Sequence, residues 1–207
     1  YLYLAPMKND PPQIIRLQLD PAIIPPCFTP LFSRGVRVGA CLECSVKELV
    51  CGQLGVPEDY LENRVQTIFL NGHAVDDTGR ATVGDGATIA LSAAMPGLAG
   101  AVLRKGGVLA ALRPDITYQN QGPVQETCQG RVILKLFNMT SREVGPLLLA
   151  VGIWIDGAGL REIFDRCGEL LRQGCRRVQW DGSSIGFDEL TARLEDDDTF
   201  LLQVNTA

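Results

Sequence analysis

Asn71-Gly72 constrains the chain more than any other pair, because few residues accept the positive φ needed at both central positions of a two-residue hairpin turn. The pair stands between Thr67-Ile68-Phe69-Leu70 and His73-Ala74-Val75, two short runs that read as strands. Two antiparallel strands are therefore expected to meet here. An isolated ribbon is marginal in water, so other strands or a helix must cover one of its faces.

The flanking sequence supplies them. Upstream, Ile15, Leu17 and Leu19 alternate with Arg16 and Gln18, which predicts a half-buried strand over Ile14 to Leu19 ended by Asp20-Pro21. Pro21 to Pro30 holds four of the chain's 12 prolines and is expected to be an irregular loop. Val36, Val38 and Ala40 give a second alternating strand. Ser45-Val46-Lys47-Glu48 then has the form of a capping box, predicting a helix from about Val46 to Leu54 with Gly55 as its left-handed cap. Downstream of the hairpin, Gly84-Asp85-Gly86 reads as a turn and Thr88 to Leu91 as a strand. The order is strand, strand, helix, strand, strand, strand.

Met95 to Arg113 is rich in glycine and is followed by Pro114, the composition of a close-packed connector. Beyond it, Asn120 to Gly130 is polar and loop-like, and Val132 to Phe137 alternates as a strand. Leu147 to Ile155 is a continuous apolar run, compatible with a buried strand or a buried helix. Leu160, Ile163, Phe164, Cys167, Leu170 and Leu171 form one stripe of a helix closed by Gly174. Arg177 to Trp180 reads as a strand, Phe187, Leu190 and Leu194 as a helix, and Thr199 to Val204 as a last strand. No sequence repeat links the two halves. The fold class is α+β.

Composition narrows function further. The formal charge of -5, from 24 acidic and 19 basic residues in mixed order, leaves no basic stripe, so nucleic acid is not an expected partner. Seven cysteines, an odd number scattered through core-like segments, point to a reducing compartment and hence the cytoplasm. The longest apolar tract, Ala87 to Leu112, is broken by glycines, Pro96, Arg104 and Lys105, unlike the roughly 20 uninterrupted residues of a membrane span. The amino-terminal residues lack the pattern of an export signal.

The element order and the phrases IFLNGHAVDD and VGDGATIAL together resemble the β-grasp sulfur-carrier proteins of thiamine and molybdopterin synthesis. The resemblance covers Ile14 to Gly100 and implies a division of the chain: an extension over 1–13, a β-grasp domain over 14–100, a Gly-rich connector over 101–127 and a second small α+β domain over 128–207. In that family the chain ends just past the last strand in Gly-Gly, whose carboxylate is activated and converted to a thiocarboxylate. Here Pro96-Gly97-Leu98-Ala99-Gly100 occupies the matching place and the peptide continues to Ala207, so no carboxylate exists at Gly100. Cleavage after Gly107 would expose Gly106-Gly107 as a carrier tail, which makes a processed precursor one alternative. Among 22 glycines, about two adjacent pairs arise by chance, so the pair alone says little.

Candidate chemistry is sparse. Cys41 and Cys44 have the spacing of a metal or redox pair, and the helix start beside Cys44 is expected to lower its thiol pKa; packing is the competing reading, since a second ligand pair is missing. Cys51 follows that pair seven residues on, whereas Cys128, Cys167 and Cys175 are isolated and read as small apolar residues. His73, the only histidine, lies beside a turn without an obvious orienting partner, and Glu195 to Asp198 reads as a solvated acidic turn. The expectation is therefore a non-catalytic interaction module or subunit, with no cofactor and a protein partner. Leu98, Val102 and Leu103 would be its apolar contacts, and Arg104 and Lys105 their charged rim.

Overall fold

A computed structural model describes residues 12–94, 100, 103–107, 118 and 129–207. The first strand, β1 (Gln13–Leu19), leads through a 3-10 turn (Pro21–Ile23) into helix α1 (Ile24–Arg34), where a loop was expected. The prolines allow this for a physical reason. Pro25 and Pro26 fall in the first helical turn, where the amide they lack would have no partner anyway. Pro30 does interrupt the interior ladder, and the freed carbonyl of Pro26 is approached instead by Cys167 Sγ at 3.9 Å.

β2 (Val36–Cys41) and the short β3 (Cys44–Ser45) precede the helix expected at Val46. The capping box forms: Glu48 Oε2 accepts from the Ser45 amide at 2.8 Å, and Ser45 Oγ accepts from the Glu48 amide at 3.1 Å. The helix then widens into a π-helical stretch over Glu48–Gln53 and ends at Gly55, φ +74°. Helix α2 (Glu58–Asn63) follows, then β4 (Thr67–Leu70) and β5 (His73–Ala74) around the predicted turn, with φ +52° at Asn71 and +83° at Gly72. β6 (Thr82–Val83) pairs only with β3, and β7 (Thr88–Ser92) ends the front half.

The back half comprises β8 (Gln129–Phe137), helices α3 (Met139–Glu143) and α4 (Gly145–Val151), β9 (Ile153–Asp156), α5 (Gly157–Gly174), β10 (Cys175–Trp180), β11 (Ser183–Ile185), α6 (Phe187–Arg193) and β12 (Thr199–Thr206). The ambiguous apolar run is both helix and strand. It is split at Gly152, whose φ of +117° a β-branched or bulky residue would adopt only with strain.

One ten-stranded sheet, ordered β11-β10-β1-β12-β9-β2-β8-β7-β4-β5, runs through both halves. β1, expected beside the front-half strands, lies instead antiparallel to β10 and parallel to β12. β8, from the back half, lies antiparallel to β2 and parallel to β7. The sheet thus does not divide at the expected connector over 101–127. Alternation in β1 and β8 sets which face of each strand is buried, but names no neighbour, and each half places its leading strand in the other.

The two sides of the β9/β2 junction share one succession of pair orientations, antiparallel, parallel, antiparallel, antiparallel, although the leading strand β8 stands next to β2 on one side while the leading strand β1 is separated from β9 by β12 on the other. Equivalent turns share backbone angles. Gly35 and Gly152, ending α1 and α4, have φ/ψ of 112°/135° and 117°/134°. The β10–β11 turn, Asp181 at +46° and Gly182 at +84°, matches Asn71-Gly72.

One face of the sheet carries the core: Ile15, Leu17, Val36, Val38, Val132, Leu134, Ile153 and Leu202 are all fully or almost fully buried beneath the helices. In the central strands β1, β12, β9, β2 and β8, no residue of the alternate set is fully buried. Among the described residues, that second face is the more exposed one. No helix among the described residues is long and apolar enough to cross a membrane.

Candidate functional site

The more exposed face places Arg37, Arg131, Lys135 and Trp154 together at the junction of the two halves. Arg37 lies directly opposite Trp154 on one side and opposite Ile133 on the other. Arg131 and Lys135 flank Ile133 on β8, two residues away in each direction, and Arg131 lies opposite Gly39. Directly opposed side chains on such a face are about 5 Å apart at Cβ and diagonal ones about 7–8 Å. The three cations therefore surround one aliphatic side chain.

The Arg131 guanidinium carbon is 3.5 Å from the centroid of the Trp154 ring, so one aromatic face is already covered by a cation. Beneath the indole lies Gly39, where a Cβ would stand 3.9 Å from Trp154 Nε1. Backbone bonds fix the approach of β8. Asp85 Oδ1 accepts from the Arg131 amide at 2.9 Å, and the Arg131 carbonyl accepts from Gly86 N–H at 2.8 Å. The Gly84-Asp85-Gly86 turn thus holds Arg131 in register. A Cβ on the preceding Gly130 would be 2.5 Å from Asp85 Oδ1 and 2.4 Å from Leu42 Cδ1, so only glycine fits without displacement.

Burial first, and then the nearby charge of Arg37, pushes the Arg131 pKa down. Among the described residues, none of Arg37, Arg131 and Lys135 has a carboxylate within ion-pair distance, whereas eight other basic side chains do. Arg16, farther along the face, donates to Gln203 Oε1 at 2.8 Å. A half-buried cluster of unpaired cations is electrostatically unfavourable in the free protein and is relieved by a bound anion.

The residues singled out from sequence lie elsewhere. Leu98 and Val102 fall outside the described residues. Leu103 is half-buried. Arg104 is exposed and donates to Gln66 Oε1 at 2.8 Å. Lys105 is turned onto its own chain: its amide donates to the Gln66 carbonyl at 2.7 Å, Nζ donates to the Leu61 carbonyl at 2.9 Å, and burial lowers its pKa. Gly106, at φ +60°, donates to Asp76 Oδ1 at 2.9 Å, and Gly107 donates to the Arg104 carbonyl at 3.1 Å. The stretch 103–107 is a turn laid against the body beside β4.

Cys41 is exposed and Cys44 half-buried. Gln53 from the π-helical stretch joins them: its side chain accepts from Cys41 N–H at 2.8 Å and donates to the Cys41 carbonyl at 2.8 Å and to Cys44 Sγ at 3.4 Å. The Cys44 pKa is raised, chiefly by burial and next by the charge of Glu48, contrary to the lowering expected from the helix start. Among the described residues, no three His, Cys, Asp or Glu side chains are grouped to hold a metal. Cys128 lies outside the described residues.

His73 is exposed in β5. The acidic run packs as a turn on the start of α5: Asp196 Oδ1 accepts from Arg161 Nε at 2.9 Å, and the Asp198 carbonyl accepts from Gly157 N–H at 2.9 Å.

A concavity of about 420 Å³ lies between α2 and the α3–α4 region, lined by Val56, Pro57, Tyr60, Arg64, Glu143 and Leu147. Its polar groups satisfy one another. Tyr60 donates to Glu143 Oε2 at 2.5 Å and Arg64 to Oε1 at 3.1 Å. The Tyr60 hydroxyl, and after it Arg64, hold the Glu143 carboxyl below its usual range, whereas burial and then the same carboxylate push the Tyr60 pKa up. This latch ties the two halves and leaves no convergent polar group free.

The cluster on the more exposed face was not legible in sequence. Arg37, Arg131 and Lys135 are polar members of alternating strands, and Trp154 sits in an apolar run; only the strand order unites them. Comparison of the chain with protein-family models, with curated proteins and with solved structures returns no match.

Proposed function

We propose that the chain is a protein-interaction module built on a β-grasp arrangement, and that it docks through the more exposed face over β8, β2 and β9. The observation that carries this reading is the group of Arg37, Arg131 and Lys135, half-buried around Ile133 and without carboxylate partners among the described residues. Half-buried cations without carboxylate partners are expected where a partner supplies the missing charge.

The order β2-β8-β7-β4-β5, antiparallel, parallel, antiparallel, antiparallel, supports the β-grasp reading, with β8 taking the place of the first strand. The partner-binding role envisaged for Leu98 to Lys105 is less favoured, because Lys105 is engaged by Leu61 and Gln66. Release of a carrier tail after Gly107 would first have to peel the 103–107 turn from Gln66, Leu61 and Asp76.

Cross-linking of the full chain in its native cells, followed by peptide mapping and intact mass, tests the reading. Cross-links from β8, β2 and β9 to another polypeptide, on a chain of unprocessed mass, are expected. A chain ending at Gly107 in a thiocarboxylate would replace this reading with the carrier one.

A further inference from the structure

The rest of the molecule narrows what can occupy the face. The chain as a whole carries -5, with acids exceeding bases by 24 to 19, so its field repels a long polyanion at distance. Attraction must be local to the cluster. Proteins that hold single-stranded nucleic acid offer aromatic faces on which bases stack, together with a cationic groove. Here the ring in the cluster, Trp154, has Arg131 stacked 3.5 Å from its centroid, and that face is unavailable to a base.

The same contact suits a carboxylate. A guanidinium lying over an aromatic ring is restrained by it, and N–H groups not facing the ring can form the planar, two-pronged contact that carboxylates make with arginine. Around it the surface is not uniformly charged. Ile133 lies between the cations, and Leu201 on β12, opposite Trp154, continues an apolar strip toward β1, where Ile14 is its next neighbour. Acidic and aliphatic side chains in mixed order match this pattern of cations around and along an apolar strip.

We infer that the occupant is an acidic segment of a protein partner, laid across β8, β2 and β9 with carboxylates on Arg37, Arg131 and Lys135 and aliphatic side chains on Ile133 and Leu201. This rests on the reading of the chain as an interaction module, and it commits that reading to one partner chemistry. Asp85 is a positioning residue for the site, since its carboxylate holds the Arg131 amide and not the ligand.

Calorimetric titration of the full chain tests the inference with three probes: a twelve-residue peptide of Glu, Asp and Leu, the same peptide with Gln and Asn, and a twelve-nucleotide oligothymidylate. The acidic peptide is expected to bind at least tenfold more tightly than either alternative, and to weaken as salt is raised from 50 to 300 mM. Arg37→Glu with Lys135→Glu is expected to weaken it at least tenfold, and Arg131→Lys, which keeps the charge but loses the planar fork, by about three- to tenfold. Arg80→Glu, on an exposed turn away from the face, should leave the Kd within twofold. Circular dichroism melts check that each variant is folded.

Equal binding of the neutral peptide, tighter binding of the oligonucleotide, or a Kd unchanged by the double reversal in a folded protein would overturn the inference. The interaction reading fails differently: it falls if cross-linking in cells captures no polypeptide on the face while the acidic peptide still binds in vitro. A captured partner cross-linked elsewhere sinks the acidic-segment inference and the assigned docking face, and leaves only the reading of the chain as an interaction module.

Discussion

Replacing Gly157 by alanine should destabilise this protein, although alanine is the better helix former by about 1 kcal/mol. Gly157 is the first residue of α5, and its amide donates to the Asp198 carbonyl at 2.9 Å. A Cβ there would lie 1.9 Å from the backbone oxygen of Glu195 and 2.8 Å from its carbonyl carbon, and neither can rotate aside. Relief requires the 195–198 turn to move away from α5. Overpacking of this kind costs about 1–3 kcal/mol, and loosening the Gly157 and neighbouring Ala158 hydrogen bonds adds about 1 kcal/mol each. Against the helix-propensity gain, the net loss is about 3 kcal/mol, or roughly 6–12 °C in Tm for a chain of this size.

Gly168→Ala is the internal control. It changes the same residue type in the same helix, but nothing lies within 4 Å of its Cβ position, so it should gain about 0.5–1 kcal/mol. Urea titrations followed by circular dichroism, with a common m-value, measure both. If Gly157→Ala is as stable as the parent, or lies within 1 kcal/mol of Gly168→Ala, the close approach of the acidic turn to α5 is not real.

Three further outcomes follow from the site descriptions. Glu143 has a lowered carboxyl pKa in the folded state, so its contribution is present above the unfolded value of about 4.3 and is lost as pH falls through the folded one. The urea midpoint should therefore drop less between pH 7 and pH 3 in Tyr60→Phe than in the parent; equal drops would show that the hydroxyl does not hold the carboxylate. In a timed maleimide pulse read by peptide mass, exposed Cys41 should be modified at least about tenfold faster than Cys27, which is fully buried and whose pKa burial, first of all, pushes up to about 12. Comparable rates would contradict the burial of α1 against α5. Gly130→Ala, whose Cβ must displace Asp85, should cost about 1–2 kcal/mol and weaken acidic-peptide binding with it; unchanged affinity would remove Asp85 from its positioning role.

What the sequence by itself determined is local. The Asn71-Gly72 hairpin, the Ser45–Glu48 capping box, the Gly55 cap and the stripe of α5 all follow from interactions within a few residues, and all are present. Pro21 to Pro30 misled because four prolines among ten residues suggest a breaker, whereas two of the three inside α1 fall where a helix has no use for the amide. Leu147 to Ile155 withheld its division because apolar periodicity is silent when every position is apolar; Gly152 alone marked the break.

Only the tertiary structure decided the neighbours. A strand's alternation has a period of two and states which side chains go inward, but β1 pairs with β12 and β8 with β7 across more than a hundred and about forty residues, at registers no local rule encodes. The candidate site inherits that dependence. Arg37, Arg131, Lys135 and Trp154 lie on three strands drawn from both halves, and each is unremarked in its own segment. They become one surface because the halves exchange their leading strands, bringing β8 beside β2 and β2 beside β9.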